Sequence, residues 1–226
     1  MTEKSLEERI ERLEAVHEIQ NVMGRYSYLH TADKQEETVA LWAKKTPGVR
    51  ANVPSFGLYE GIEGIRRLYV GAHQAMGEEA RIGQMHMHTL TTPVIEVAGD
   101  GKTARGVWIS PGQETTTSPG SKPKAHWAWL KYGADFVKED GKWKFWHLQV
   151  YGLFFTPYEK SWVEESIHAE EMALPDELKP ARKTTYWTSY TSTSKQVLIP
   201  APPEPYETWD ESMSCIIEEP PEGYEG

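Results

Sequence analysis

Apolar residues Leu6, Ile10, Leu13, Val16, Ile19, Met23 and Tyr26 recur at helical spacing, which predicts an amphipathic helix running from Ser5 toward His30. Ser5 followed by Glu8 forms a capping-box pattern at its start. Continuing the stripe by four and then three residues brings His30 and Asp33 onto the same face. "DKQEETVALWAKK" reads as a second helix with Val39 and Trp42 inward, opened by a further capping box from Asp33 to Glu36. Pro47 and Gly48 end it, and "VRANVPSFGLYEG" reads as extended or irregular. "IEGIRRLYVGAHQAM" then sets Ile62, Ile65, Leu68, Tyr69 and Ala72 on a third helical face.

After Gly83 the period changes to two. Met85 to Val97, Thr103 to Thr117, Ala125 to Lys138 and Trp143 to Phe155 read as strands. Asp100-Gly101 and Asp140-Gly141 are hairpin-turn pairs and "SPGSKP" a longer turn, so successive antiparallel pairing is expected. Helices followed by strands predict an α+β fold in which helices cover one face of a curled antiparallel sheet. From Thr156 the character changes: "PYEKSWVEESIHAEEMALP" suits one helix, "TTYWTSYTSTSKQVLIP" a strand, and the remainder is rich in proline and acid. The chain therefore divides into a domain at 1–155 and a C-terminal extension at 156–226. Tyr186, Trp187, Tyr190, Trp209 and Ile216 would be costly to leave in water, so the extension is expected to wrap the core or a neighbouring subunit.

Composition narrows the function classes. A net charge of -10 over 226 residues opposes the basic footprint of a nucleic-acid binder. No apolar run approaches the roughly 20 residues of a membrane span, and the charged start differs from a secretory signal. No membrane partner is expected, and the expected compartment is the cytoplasm. Cys215 is the single cysteine, which excludes an intrachain disulfide and a thiolate metal cluster. Nine tryptophans and eleven tyrosines supply aromatic surface for a core or for a cavity lining. Tyr26, Trp108 and Trp129 are the lining candidates.

His86 and His88 leave the same face of the first strand while Met85 and Met87 leave the other. Two metal ligands, a base with a helper, and plain polar surface all suit that geometry. A His-x-His strand is similar to a cupin metal box, which expects a glutamate about four residues on; the next acid here is Glu96, and no metal is expected. His126 shares a face with Ala128, Leu130, Tyr132, Ala134 and Phe136 and reads as buried, while His147 is grouped with Trp143, Phe145, Gln149 and Tyr151. Asp33 also suits a helix N-cap. Phosphate loops, dinucleotide fingerprints and nucleophile elbows are missing from the sequence. Cys215, set among acids, is a poor nucleophile.

Four pieces in order, "GRYSYLHTAD", "YEGIEGIRRLY", "HTLTTPVIEVAGDGKTARG" and "EDGKWKF", resemble the SnoaL-like branch of the NTF2-like superfamily. The resemblance implies a cone-shaped α+β barrel with a pocket between helices and curved sheet. Family enzymes such as scytalone dehydratase and bile acid 7α-dehydratase perform eliminations without a cofactor, and relatives include isomerases, polyketide cyclases and lyases of lignin-derived aromatics. The resemblance further implies an acid at the end of the first helix paired with a histidine on the first long strand, here Asp33 and His88. Tyr28 and Tyr59 fall where related dehydratases carry pocket tyrosines. A second polar group expected on the next strand has no clear match among Ser110, Gln113 and Glu114.

A carboxylate on one imidazole nitrogen frees the other to accept a proton near neutral pH. Tyr28, Tyr59 or His126 would then assist a leaving oxygen, with His86 and His147 at the substrate's side. The function expected is a cofactor-independent lyase, a dehydratase or formaldehyde-releasing enzyme, on a hydrophobic aromatic or polycyclic molecule. Isomerisation and cyclisation are alternative reactions of the same site. Related enzymes are often trimers, so a homo-oligomer is expected. The rival is a non-catalytic ligand-binding or assembly subunit similar to the β subunit of ring-hydroxylating dioxygenases.

Overall fold

The computed structural model describes residues 5–75, 77, 79–117, 121–166, 174–184, 188–217 and 219–220. Tyr186, Trp187 and the middle of the helix expected after Thr156 lie outside the described residues.

Helix α1 (Leu6–Thr31) starts at Ser5 with both bonds of the capping box formed. It buries Ala15, Ile19, Met23 and Tyr26, while Leu6, Ile10 and Leu13 stay exposed, so the predicted stripe is used only in its second half. Asp33 then takes a left-handed conformation with φ 55°, which asparagine and aspartate tolerate better than most residues. That reversal makes Lys34 the residue preceding α2 (Gln35–Val39), and no capping box forms from Asp33 to Glu36. The Glu36 carboxylate instead accepts two bonds from the Arg66 guanidinium. Helix α3 (Gly61–Arg66), a π-helical turn (Arg67–Gly71) and α4 (Ala72–Ala75) run on continuously. The widened turn buries Leu68, Tyr69 and Val70 in succession.

Seven strands follow the order β2-β1-β7-β6-β5-β3, with β4 also on β5. They are β1 (Arg50–Val53), β2 (Gly57–Glu60), β3 (Met85–His88), β4 (Thr91–Val97), β5 (Thr103–Thr116), β6 (Lys124–Glu139) and β7 (Lys142–Pro157). The stretch read as irregular thus supplies a hairpin, and the first predicted strand breaks at Thr89 and Leu90 into β3 and β4. Strand β1 runs parallel to β7, so the sheet is mixed and not purely antiparallel. It ends at β2 and β3 without closing.

Strands β5 and β6 pair without a break, Ala104 opposite Phe136 and Glu114 opposite His126. Alternation therefore sends Trp108, Ser110, Gly112 and Glu114 to the same face as Tyr132, Leu130, Ala128 and His126. At one end of this concave face Phe136, Phe145, Trp108 and Trp143 join Ile19, Met23 and Tyr26 of α1 in the core.

Strand β7 departs from simple alternation. Asp135 pairs with His147 and Phe136 with Phe145, which leaves Trp146 as the extra residue of a bulge. Trp143 and Phe145 consequently face the core, whereas His147, Gln149 and Tyr151 face outward with Asp135. A second bulge in β7 leaves Leu153 as its extra residue, and Trp129 of β6 lies on the outer face, stacked on Phe154. His147 and Trp129 are thus separated from any site on the concave face, contrary to expectation: the bulge at Trp146 shifts the parity of His147 by one, and Trp129 simply alternates with Ala128 and Leu130.

Residues of the C-terminal segment run along the sheet edge and outer face. Leu58 and Arg182 pair through backbone, Tyr190 N donates to the Leu153 carbonyl at 2.7 Å, and Gly99 N donates to the Tyr206 carbonyl at 2.8 Å. Asp135, fully buried, accepts from Cys215 N at 3.0 Å and lies 2.8 Å from His147 Nδ1. Tyr151 donates its hydroxyl to the Cys215 carbonyl. Gly133 leaves the space: a Cβ there would lie 3.0 Å from that of Cys215. Asp135→Ala would strand His147 and the Cys215 amide in the interior, and urea denaturation should show a loss of about 3–5 kcal/mol.

Candidate active site

The polar end of the concave face gathers residues from three adjacent strands. Glu114 on β5 lies opposite both His86 on β3 and His126 on β6, and His88 lies opposite Gly112. Gly112 has no room for a side chain, since a Cβ would sit 2.8 Å from the carbonyls of both Ala128 and Met87. The Ser27 hydroxyl donates to the His88 carbonyl at 2.9 Å, which ties α1 to β3 at this point.

His88 is held at both nitrogens. Its Nε2 lies 2.9 Å from the Glu114 carboxylate and its Nδ1 lies 3.0 Å from the Tyr132 hydroxyl. Burial pushes the Glu114 carboxyl up, but the hydrogen bond and charge of His88 outweigh it, and the net displacement is below the ordinary glutamate value. Burial raises Tyr132 well above the usual phenol range, so its O–H is retained at neutral pH. The Tyr26 and Tyr69 hydroxyls lie 3.2 Å apart, with Tyr26 stacked on His30 and edge-on to Tyr132. A carboxylate, an imidazole and a phenol in line form an arrangement able to move a proton.

The sequence candidates separate clearly. His86, His88 and His126 come together; His126 donates Nδ1–H to the Lys124 carbonyl at 3.1 Å and stacks on Phe155. Asp33 does not bond His88: its carboxylate pairs with Arg81 and accepts from Gln35 Nε2 at 3.2 Å, although its charge reaches His86. The reversal after α1 turns Asp33 toward Arg81, and Glu114 takes the place at His88 expected of Asp33. Tyr28 is 83% exposed, away from the cluster. Tyr59 is buried elsewhere and donates to the Leu178 carbonyl at 2.8 Å. Trp108 shares the concave face but packs on Gly106 and Phe136. Tyr132 was legible only as an apolar-face residue; the even parity it shares with His126, and that Glu114 shares with Ser110, was the available signal.

The sequence profile of the SnoaL-like domain family matches residues 11–149. The chain belongs to the SnoaL-like family. The SnoaL-like match holds the whole cluster just described and stops before the C-terminal segment. No curated protein matches the sequence. Among solved structures, a putative scytalone dehydratase from Novosphingobium aromaticivorans superposes with a TM-score of 0.53 at 18% identity, covering 74% of this chain and 99% of that one. LinA gives 0.54 at 16% identity over 74% and 99% of the two chains. A hexachlorocyclohexane dehydrochlorinase, LinA-type3, from Novosphingobium barchaimii gives 0.53 at 18% over 68% and 96%. At such identities the likeness is one of fold.

The Glu114 to His88 bond makes a titration testable. In the intact protein the Glu114 carboxyl should stay ionised to below the ordinary glutamate range. In His88→Gln burial of the carboxyl is less opposed and its titration should move upward, as carboxyl ¹³C chemical shifts followed against pH would record.

Proposed function

We propose that this protein is a lyase needing no cofactor, acting on a hydrophobic, ring-containing small molecule by proton transfer centred on His88. The observation that carries the reading is His88 bonded between Glu114 and Tyr132 at the polar end of an otherwise aromatic concave face. The carboxylate orients the imidazole and steadies its protonated form, and the phenol carries a proton between imidazole and substrate. Elimination of a β-hydroxyl as water, or release of formaldehyde from a hydroxymethyl group, requires such a group beside a dry surface. The names of the similar structures, a putative scytalone dehydratase and a dehydrochlorinase, point to eliminations on the same fold.

The test is turnover of a panel of β-hydroxylated aryl compounds, followed by the ultraviolet absorbance of the new conjugated double bond and by formaldehyde release. His88→Ala and Glu114→Gln should each lower kcat by about 10²–10⁴-fold, the usual weight of acid–base catalysis. Activity should survive dialysis against EDTA. Full turnover by folded His88→Ala sinks the reading.

Association of copies has its own support. On the outer face Met85, Met87, Ile109, Trp129 and Trp162 stay exposed side by side with the stacked Phe154, a surface of the kind that covers itself in an assembly. A homotrimer should sediment at three times 25.8 kDa, and Ile109→Lys should weaken it; a wild-type monomer at micromolar concentration would count against association. An assembly subunit without turnover is the rival, and it would copurify with a larger partner.

A further inference from the structure

His86 and His88 leave β3 on one face with ring centroids 6.3 Å apart, yet their surroundings differ. Both nitrogens of His88 are engaged, by Glu114 and by Tyr132. Among the described residues nothing hydrogen-bonds the ring of His86, which is only partly covered. Across from it stands Glu114 on β5, with His126 beyond on β6, and Asp33 with its Arg81 partner lies near the end of α1. His30 of α1 faces His88 at 6.2 Å. Burial lowers His86 below its ordinary value of 6.5; the Glu114 and Asp33 carboxylates oppose this and His88 adds to it. At neutral pH His86 therefore presents an uncharged ring with an open lone pair, while His88 has none to offer. Two titratable groups with different surroundings divide acid from base.

We propose that His86 takes the proton from the substrate and that His88 works on the other side of the reaction, returning a proton to the leaving oxygen through Tyr132. The chemistry rests on the lyase reading above; the division of the two rings does not. The lone pair of His86 bonds the substrate hydrogen, and the C–H electron pair becomes the new C=C bond. The C–O bond breaks with its pair on oxygen, which takes the Tyr132 hydroxyl proton and leaves as water. The proton on Nδ1 of His88 passes to Tyr132. One proton has then moved from His88 to His86, and exchange between the two rings through water restores the start. The Glu114 and Asp33 carboxylates steady the imidazolium formed at His86.

Imidazole ¹⁵N spectra, assigned with His86→Gln and His88→Gln, test the division without any substrate. At pH 7 His86 should show one unprotonated nitrogen; a His86 ring protonated at both nitrogens overturns the proposal. The second readout is ring opening of 5-nitrobenzisoxazole, an aromatic probe that needs a base and no acid. Its rate should rise with pH through a midpoint below 6.5, and His86→Gln should slow it about tenfold or more. Asp33→Asn should move the midpoint to lower pH, since an attractive charge is lost and Arg81 remains. His17→Gln, at an exposed position on α1, should leave the rate unchanged. An unaffected His86→Gln rate, or a wild type no faster than free imidazole, overturns the assignment. If no hydroxylated compound is ever turned over, the lyase reading fails, and the two histidine readouts still decide this one.

Discussion

The unbroken register between β5 and β6 is the constraint on which the rest depends. Because the side-chain period of a strand is two, one pairing decides the whole composition of the concave face. Phe136 opposite Ala104 and Tyr132 opposite Trp108 fill one end with aromatic bulk; Glu114 opposite His126 makes the other end polar. The same alternation seats His86 beside Glu114 through β3. A slip of one residue would bury Gln113 and Arg105 and send the candidate proton-transfer groups to the outer face. Helix α1 reads this gradient, setting Ile19 and Met23 on the apolar part and Ser27 and His30 by the histidines.

The outer face obeys a second constraint, the burial of Asp135. A buried carboxylate is costly unless paired, and here His147 and the Cys215 amide both bond Oδ2 while the Arg105 guanidinium stands 3.9 Å from Oδ1. A surface that bulges in β7 have opened thus becomes the seat of the C-terminal segment. The long chain beyond β7 is held by a few directional bonds and by Trp209 on Trp146 rather than by a core of its own. Acid–base groups are consequently sorted onto two faces of one sheet, one set on the concave face beside α1 and one on the outer face beside the C-terminal segment.

Much of the fold was legible. The capping box, the helical stripe, the change of period after Gly83 and the two Asp-Gly turns each rest on local physics, and the elements formed accordingly. Legibility failed where a long-range contact chose the outcome. The β1–β2 hairpin forms because β1 finds β7, and Asp33 leaves its capping role because the chain reverses there toward Arg81. His147 leaves the face of Trp143 and Phe145 because a bulge that no local pattern marks intervenes, whereas the outward direction of Trp129 follows from its alternation with Ala128 and Leu130. His88, which the resemblance singles out, lies on the concave face, and the carboxylate bonded to it comes from the adjacent strand and not from α1.

By itself the sequence determined which residues could share a face: spacing alone grouped His86 with His88 and His126 with Tyr132, since alternation is set by the backbone within a single strand. Which faces met was decided only in three dimensions. Register between strands, the hand-over of Glu114 to His88 and the turning of Asp33 to Arg81 depend on pairings between residues far apart in the chain, whose energies no local window contains. The two histidines that look equivalent in "MHMH" become distinct for that reason, one enclosed by Glu114 and Tyr132 and the other left open.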